Sequence, residues 1–272
     1  MNLSNIINEI ANSDPEFFER TSERRSVIKN WSRKIALTAM PFALGSLFNK
    51  AYGKSTDLIT DTLNFALTLE YLEAEFYTMA VSMSTFPTES AKNAFITIRD
   101  HENAHVNFLK TAITAANGTP VPKPKFDFSG GKGSGTGPFA TAFSNYSLLL
   151  TVAQAFEDTG VRAYKGQAGN LITNNDVLTA ALNIHSVEAR HASHIRWMRM
   201  NAGQTANKPW ITGKQSPDPM VQAIYDGEDL AVQGGVTITG LGGISANAAT
   251  EAFDEPLTKD QVLKIVEPFI VP

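Results

Sequence analysis

Glu188 and His191, in the run Asn183-Ile-His-Ser-Val-Glu-Ala-Arg-His-Ala-Ser-His-Ile-Arg-Trp197, stand three residues apart in a stretch that suits a long helix. Three residues on an α-helix amount to a turn of about 60°, so both side chains leave one face and can share a metal ion. A single Glu-x-x-His pair is more often part of a solvated charged face. This chain carries the pair twice: Ile98-Arg-Asp-His-Glu102-Asn-Ala-His105 aligns with Ile184-His-Ser-Val-Glu188-Ala-Arg-His191. Each copy follows a segment with one more aligned glutamate, Glu70 in Leu69-Glu-Tyr-Leu-Glu-Ala-Glu-Phe-Tyr77 and Glu157 in Phe156-Glu-Asp-Thr-Gly-Val-Arg-Ala-Tyr164.

The offsets repeat as well. Glu70 precedes Glu102 by 32 residues and Glu157 precedes Glu188 by 31. A tyrosine lies seven residues after each first glutamate, Tyr77 and Tyr164, and seven residues is two turns with a drift of only about 20°. Four carboxylates buried in a helical bundle need compensation, because an unpaired buried charge costs several kcal/mol. Lysine and arginine are scarce on the inferred inward faces, whereas two divalent cations would balance four negative charges. Two histidines complete an oxygen and nitrogen donor set suited to iron or manganese, with zinc also compatible. The sequence does not choose among them.

Composition narrows the alternatives. A chain of 272 residues, 43% hydrophobic and 18% charged, suits an ordinary globular protein. Its net charge of −4 argues against a nucleic-acid partner. Cysteine is absent, which excludes disulfides, thiolate metal sites and cysteine nucleophiles.

Three regions follow from the pattern: an N-terminal segment 1–56, a helical bundle 57–203 and a tail 204–272 wrapping it. In the first, Glu23-Arg-Arg-Ser-Val-Ile-Lys29 resembles a twin-arginine export motif. An apolar run of 14 residues, Ile35–Phe48, and the small-residue site Ala51-Tyr-Gly53 come after it. That run is too short for a transmembrane helix, which needs about 20 residues. Two readings stay open, an exported periplasmic protein and a cytoplasmic one whose N-terminal segment packs on the domain or a partner subunit.

In the bundle, periodicity predicts helices over Asp57–Met83 and Ala91–Ala116, the second capped by Thr88 and stopped at Asn117-Gly118. Two more are predicted over Phe139–Ala168 and from the cap region Thr173–Asp176 to about Met200. The stretch Thr119–Pro138 between the hairpins reads as a crossover running the length of a bundle. Its Ser129-Gly-Gly-Lys-Gly-Ser-Gly-Thr-Gly-Pro138 run lacks the spacing and the preceding strand of a phosphate loop. In the tail, a short helix is expected at Met220–Tyr225, a β-like turn around Gly234–Gly243 and a helix at Lys259–Val266 entered by a Thr258/Gln261 capping box.

Taken together, these residues resemble the ferritin-like superfamily of di-metal carboxylate proteins, and within it the bacterial and plant domains often called desiccation-related. The likeness rests on Leu63–Tyr77, Phe156–Tyr164 and Glu188-Ala-Arg-His191, with Glu251–Thr258 resembling the family's tail. It implies an all-α, antiparallel four-helix bundle with one long crossover. It also implies Glu70 and Glu157 as terminal metal ligands, Glu102 and Glu188 as bridging ligands, and His105 and His191 as one nitrogen ligand per metal. Tyr77 and Tyr164, the candidate catalytic residues, would hydrogen-bond those ligands.

The implied cofactor is a pair of iron ions, or manganese, with oxygen or peroxide as reactant and ferrous-iron oxidation in stress protection as the activity. A manganese catalase and a metal-stabilised structural protein without turnover are the alternatives. A homo-oligomer is compatible; the long flanking segments argue against a storage shell. Among neighbouring residues, Glu73 is expected as a salt-bridging surface residue with an alternative role as ligand, and Asp158 and Glu75 as solvated. His185 is open to a supporting role near the metal, His194 is expected at the surface, and His101, adjacent to Glu102, is expected to point elsewhere.

Overall fold

Four long helices carry the architecture: α1 (Thr56–Met83), α2 (Glu89–Ala115), α3 (Tyr146–Gln167) and α4 (Asn175–Asn201). The computed structural model describes residues 56–204 and 208–272, with side chains from Leu58 onward in α1. The twin-arginine-like stretch, the apolar run Ile35–Phe48 and the Ala51–Gly53 site all lie outside the described residues. No helix among the described residues is long and apolar enough to cross a membrane. Two short helices, α5 (Ala246–Thr250) and α6 (Lys259–Val266), and the two-residue strands β1 (Val232–Gln233) and β2 (Val236–Thr237) complete the chain.

Local chemistry sets the helix ends. Thr88 accepts a hydrogen bond from the Ala91 amide, Asn145 from that of Leu148, and Asn174 from those of Asp176 and Val177. Helix α2 ends where Asn117 turns left-handed (φ 59°), its amide bonding Thr114 O and the next amide bonding Ile113 O. The third helix starts later than Phe139, because residues 142–144 make a separate 3-10 turn and Asn145 then caps a new helix. The tail's short helix is likewise a 3-10 turn, Pro219–Ile224. The β-like turn is the β1–β2 hairpin, and the Thr258/Gln261 capping box opens α6.

α1 pairs with α2 and α3 with α4, in the antiparallel sense that a short link imposes. α2 buries one stripe, Phe95, Ile98, Glu102, His105, Leu109 and Ala112, at helical spacing. α3 is different: every residue from Leu149 to Tyr164 is buried. One side faces the bundle and the tail covers the other, packing Tyr225, Leu257 and Phe269 into the same core. The tail comes so close that a Cβ at Gly166 would sit 1.9 Å from Leu257 O. Aromatic rings fill the space around Phe76, with Phe128 at 5.6 Å and Phe156 at 5.1 Å.

The crossover is anchored at both faces. Phe128 and Phe139 enter the core, while the backbone of Phe126 pairs with Ile270 and the Asp127 amide donates to Phe269 O at 2.8 Å. The glycine-rich run closes around Asp127, whose carboxylate accepts from the amides of Ser129, Gly133 and Gly135 at 2.8–3.0 Å. The Ser129 hydroxyl first, and then these amides, hold the Asp127 carboxyl at about 2. Amides that could have received a phosphate are occupied by the chain's own carboxylate.

A second buried polar system fastens the tail to α3. Arg162 Nε lies 2.6 Å from Glu228 Oε1 and donates to Glu255 O at 2.7 Å, and Arg162 also donates to Ile224 O and Asp226 O. Burial pushes the Glu228 carboxyl up to about 7 although Arg162 opposes it. Removing one member of a buried pair strands the other charge at a cost of about 3–5 kcal/mol. Arg162→Met is therefore expected to lower the melting temperature by roughly 10 °C or more. Arg162→Met with Glu228→Leu should recover the part of that loss due to the stranded charge, though not the part due to the tail carbonyls, and a double variant no more stable than the single one would show that the ion pair is not what the charge loss costs.

Candidate metal centre

The four inner helices each send acidic or imidazole side chains to one level of the bundle. α1 supplies Glu70 and Tyr77, α2 Glu102 and His105, α3 Glu157 and Tyr164, and α4 Glu188 and His191. All four glutamates are fully buried, while His105 and His191 retain 8% and 5% exposure. The centre is therefore least covered on its histidine side.

These side chains form two groups. Glu70, Glu102, His105 and Glu188 each bring a ligand atom within 4.8 Å of the others, and so do Glu102, Glu157, Glu188 and His191. Glu102 and Glu188 belong to both. His105 Nδ1 lies 3.1 Å from each of Glu70 Oε2, Glu102 Oε2 and Glu188 Oε1. His191 Nδ1 lies 2.9 Å from Glu102 Oε1, 3.3 Å from Glu157 Oε2 and 3.9 Å from Glu188 Oε2. One ring nitrogen cannot donate a single proton to three oxygens at once. Donor atoms about 3 Å apart are, however, the spacing of neighbouring ligands around a cation bound at 2.0–2.2 Å.

Unsatisfied atoms fit the same account. Glu102 Oε1, Glu157 Oε2, both oxygens of Glu188 and His191 Nδ1 are buried without a hydrogen-bond partner, an arrangement that native interiors otherwise avoid. All five converge on this centre. Among the described residues no lysine or arginine reaches it; the buried Arg162, Arg196 and Arg199 are engaged with the tail or with Asp158 and Gln154.

The tyrosines cross between the halves. Tyr77 on α1 donates to Glu157 Oε1 on α3 at 2.5 Å, and Tyr164 on α3 donates to Glu70 Oε1 on α1. Each therefore orients the glutamate of the other half, not the one seven residues before it. Burial, then the adjacent glutamate, raises both phenols well above their ordinary range, so they stay protonated donors.

Electrostatics without metal show the same strain. Burial raises Glu70 to about 7 against the pull of His105, and raises Glu188 well above the carboxylate range with help from Glu102 and Glu70. Glu102 goes the other way, to about 2: burial raises it, but the imidazoles of His105 and His191 beside it outweigh burial. Burial disfavours charged His191, but Glu157 and Glu102 prevail and lift it to about 11. His105 is raised in the same manner, burial being outweighed by Glu70, Glu102 and Glu188.

Three neighbours differ from the sequence reading. Glu73 is not a surface ion-pair residue: it is 3% exposed and lies against this centre, where Glu188 leads the charges that, after burial, raise its carboxyl. The signal was available, since Glu70 and Glu73 have the same three-residue step as each Glu-x-x-His pair. Asp158 is not solvated; Arg196 and Tyr225 hold it in the layer between α3 and the tail. His101 does not point away: its Nδ1 lies 2.9 Å from His191 Nε2, with the rings stacked at 5.2 Å. As for the rest, Glu75 pairs with Lys123 near the surface, His185 faces Asp254 and Lys165, and exposed His194 stacks on Trp197.

Residues 59–201, more than half of the chain, match a protein family described as ferritin-like domain. No curated protein matches the chain.

The pH dependence of the metal-free protein follows from these shifts. Glu70, raised from 4.5 to about 7, binds its proton more tightly when folded, so stability is lost as pH climbs through that interval. His191, raised from 6.5 to about 11, has the same sign over its own interval. Glu102 opposes them only below pH 4.5, its contribution disappearing as pH falls toward 2. Chelator-treated protein should melt at a lower temperature at pH 8 than at pH 5.5. The increment from added Mn²⁺ should grow over that range, because metal and protons compete for the same atoms. A chelated melting temperature that is flat or rising between those two pH values would contradict this.

Proposed function

The chain belongs to the ferritin-like domain family, and on that premise we propose that it is a di-metal carboxylate protein that binds two iron ions at the bundle centre and uses them in redox chemistry with oxygen or peroxide. The observation that carries the proposal is the pair of four-residue groups sharing Glu102 and Glu188. Glu70 and His105 would hold one ion, Glu157 and His191 the other, and the two shared glutamates would span both. Bound there, two ferrous ions supply the two electrons that oxygen or peroxide takes up.

The protein's own contribution is positional. Tyr77 and Tyr164 hold one oxygen each of Glu157 and Glu70, leaving the other oxygen of each carboxylate for an ion. His101 engages the outer nitrogen of His191, so that Nδ1 faces the glutamates. The apolar shell built on Phe76, Phe95 and Phe156 keeps water from the helix side, which strengthens the electrostatics inside. Exposed His101, stacked on His191, marks the side on which the centre lies nearest the surface. Oxygen and imidazole donors without thiolate suit iron and manganese alike. Consumption of oxygen or peroxide together with ferrous iron is the route by which such a site would serve stress protection.

The test combines metal content with the growth of ferric absorbance when metal-free protein, ferrous iron and oxygen are mixed, and with peroxide turnover by the manganese form. Wild type should hold two ions per chain and oxidise iron. Glu102→Ala and Glu188→Ala should each lose an ion and at least about tenfold in rate, the scale on which even outer partners of a metal act. Glu75→Ala, at a surface pair with Lys123, should change neither. Full occupancy in Glu188→Ala would refute the ligand assignment. Full occupancy in wild type with no turnover of either kind would assign the metals to stabilising the bundle.

A further inference from the structure

The two halves of the bundle match at Glu70 and Glu157, Tyr77 and Tyr164, Glu102 and Glu188, and His105 and His191, but one inward position breaks the match. Three residues after the first glutamate α1 carries Glu73 and α3 carries Gly160. The two are complementary in space. A Cβ built on Gly160 would lie 3.1 Å from Glu73 Oε1 and 3.4 Å from Glu188 Oε2. Any side chain at 160 would compete for the place that the Glu73 carboxylate fills.

Glu73 is 3% exposed, and the charges acting on it are those of Glu188, Glu102, Glu157 and Glu70. The small cavity beside it, about 10 Å³ and lined by Leu69, Leu72, Phe156, Thr159, Gly160 and Val266, offers no counter-charge. With acids as its neighbours, Glu73 in its ionised form would be stabilised there by a cation bound at the centre. Glu73 lies outside both four-residue groups as they stand, beside Glu188 Oε2. That oxygen is the one turned toward His191, whereas Glu188 Oε1 is turned toward His105.

We propose that Glu73 is a seventh metal-directed side chain, a carboxylate donor in reserve for the ion held by Glu157 and His191, and that Gly160 is the vacancy that admits it. This rests on the di-metal reading and makes its two positions unequal. The additional negative donor strengthens the Glu157–His191 position, which fills first.

The experiment is an anaerobic titration of metal-free protein with Mn²⁺, following unbound Mn²⁺ by electron paramagnetic resonance, for wild type, Glu73→Gln and Gly160→Ala. Wild type should take up two ions in two separable steps. Glu73→Gln keeps the shape and removes the charge; it should still take up two ions, with the tighter step weakened roughly tenfold or more so that the steps merge. Gly160→Ala, which crowds the carboxylate without removing it, should shift the same step in the same direction and carries the test if Glu73→Gln does not fold. Two steps in Glu73→Gln at wild-type affinities would overturn the proposal, leaving Glu73 as a packing residue while the di-metal reading stands. Wild type taking up no manganese would overturn both.

Discussion

Burial of carboxylates in the middle of a helical bundle is the constraint around which this protein is built. Glu70, Glu73, Glu102, Glu157 and Glu188 meet in a space that excludes water, where an unpaired charge costs several kcal/mol. His105 and His191 can each carry one positive charge, and Tyr77 and Tyr164 each donate one hydrogen bond. That leaves several buried oxygens with no partner. Two divalent cations, as proposed, would remove the deficit in one step. Positions that are awkward for the polypeptide alone, such as three carboxylate oxygens around one imidazole nitrogen, become ordinary ligand positions.

α3 shows two solutions to the same problem on adjacent residues. Glu157 faces inward, where its neighbours are acids, imidazoles and a phenol. Asp158, about 100° further round the helix, faces the tail, where Arg196 and Tyr225 neutralise it and Gln154 extends the network to Arg199. The outward side is thus satisfied within the polypeptide by guanidinium groups, and the inward side is not. The same asymmetry gives residues 218–257 a structural purpose: by covering α3 they turn it into a fully buried wall, which stiffens the element that carries Glu157, Gly160 and Tyr164.

Much of this was legible in the sequence, for a physical reason. A duplicated helical hairpin repeats its inward residues at fixed offsets, so four glutamates, two histidines and two tyrosines could be aligned without knowing how the helices pack. What escaped depended on partners distant in the chain. Glu73 and Asp158 look solvated if α1 and α3 are assumed to have a wet side, and the periodicity of one helix does not reveal which other segments cover it. His101 leaves its helix about 100° from Glu102, yet it reaches His191 because α2 and α4 pack beside each other there. α3 starts at Tyr146 and not at Phe139 because the Asn145 side chain caps it there. That each tyrosine serves the opposite half follows only from the three-dimensional crossing of α1 and α3.

The most direct measurement of the central claim is anomalous X-ray scattering from crystals grown with Mn²⁺ or with ferrous iron under anaerobic conditions. The account predicts two peaks in the bundle centre about 3.5–4 Å apart, the usual separation in paired metal sites. One should lie among Glu70, Glu102, His105 and Glu188, the other among Glu102, Glu157, Glu188 and His191. A single peak, or a centre without any, would contradict it.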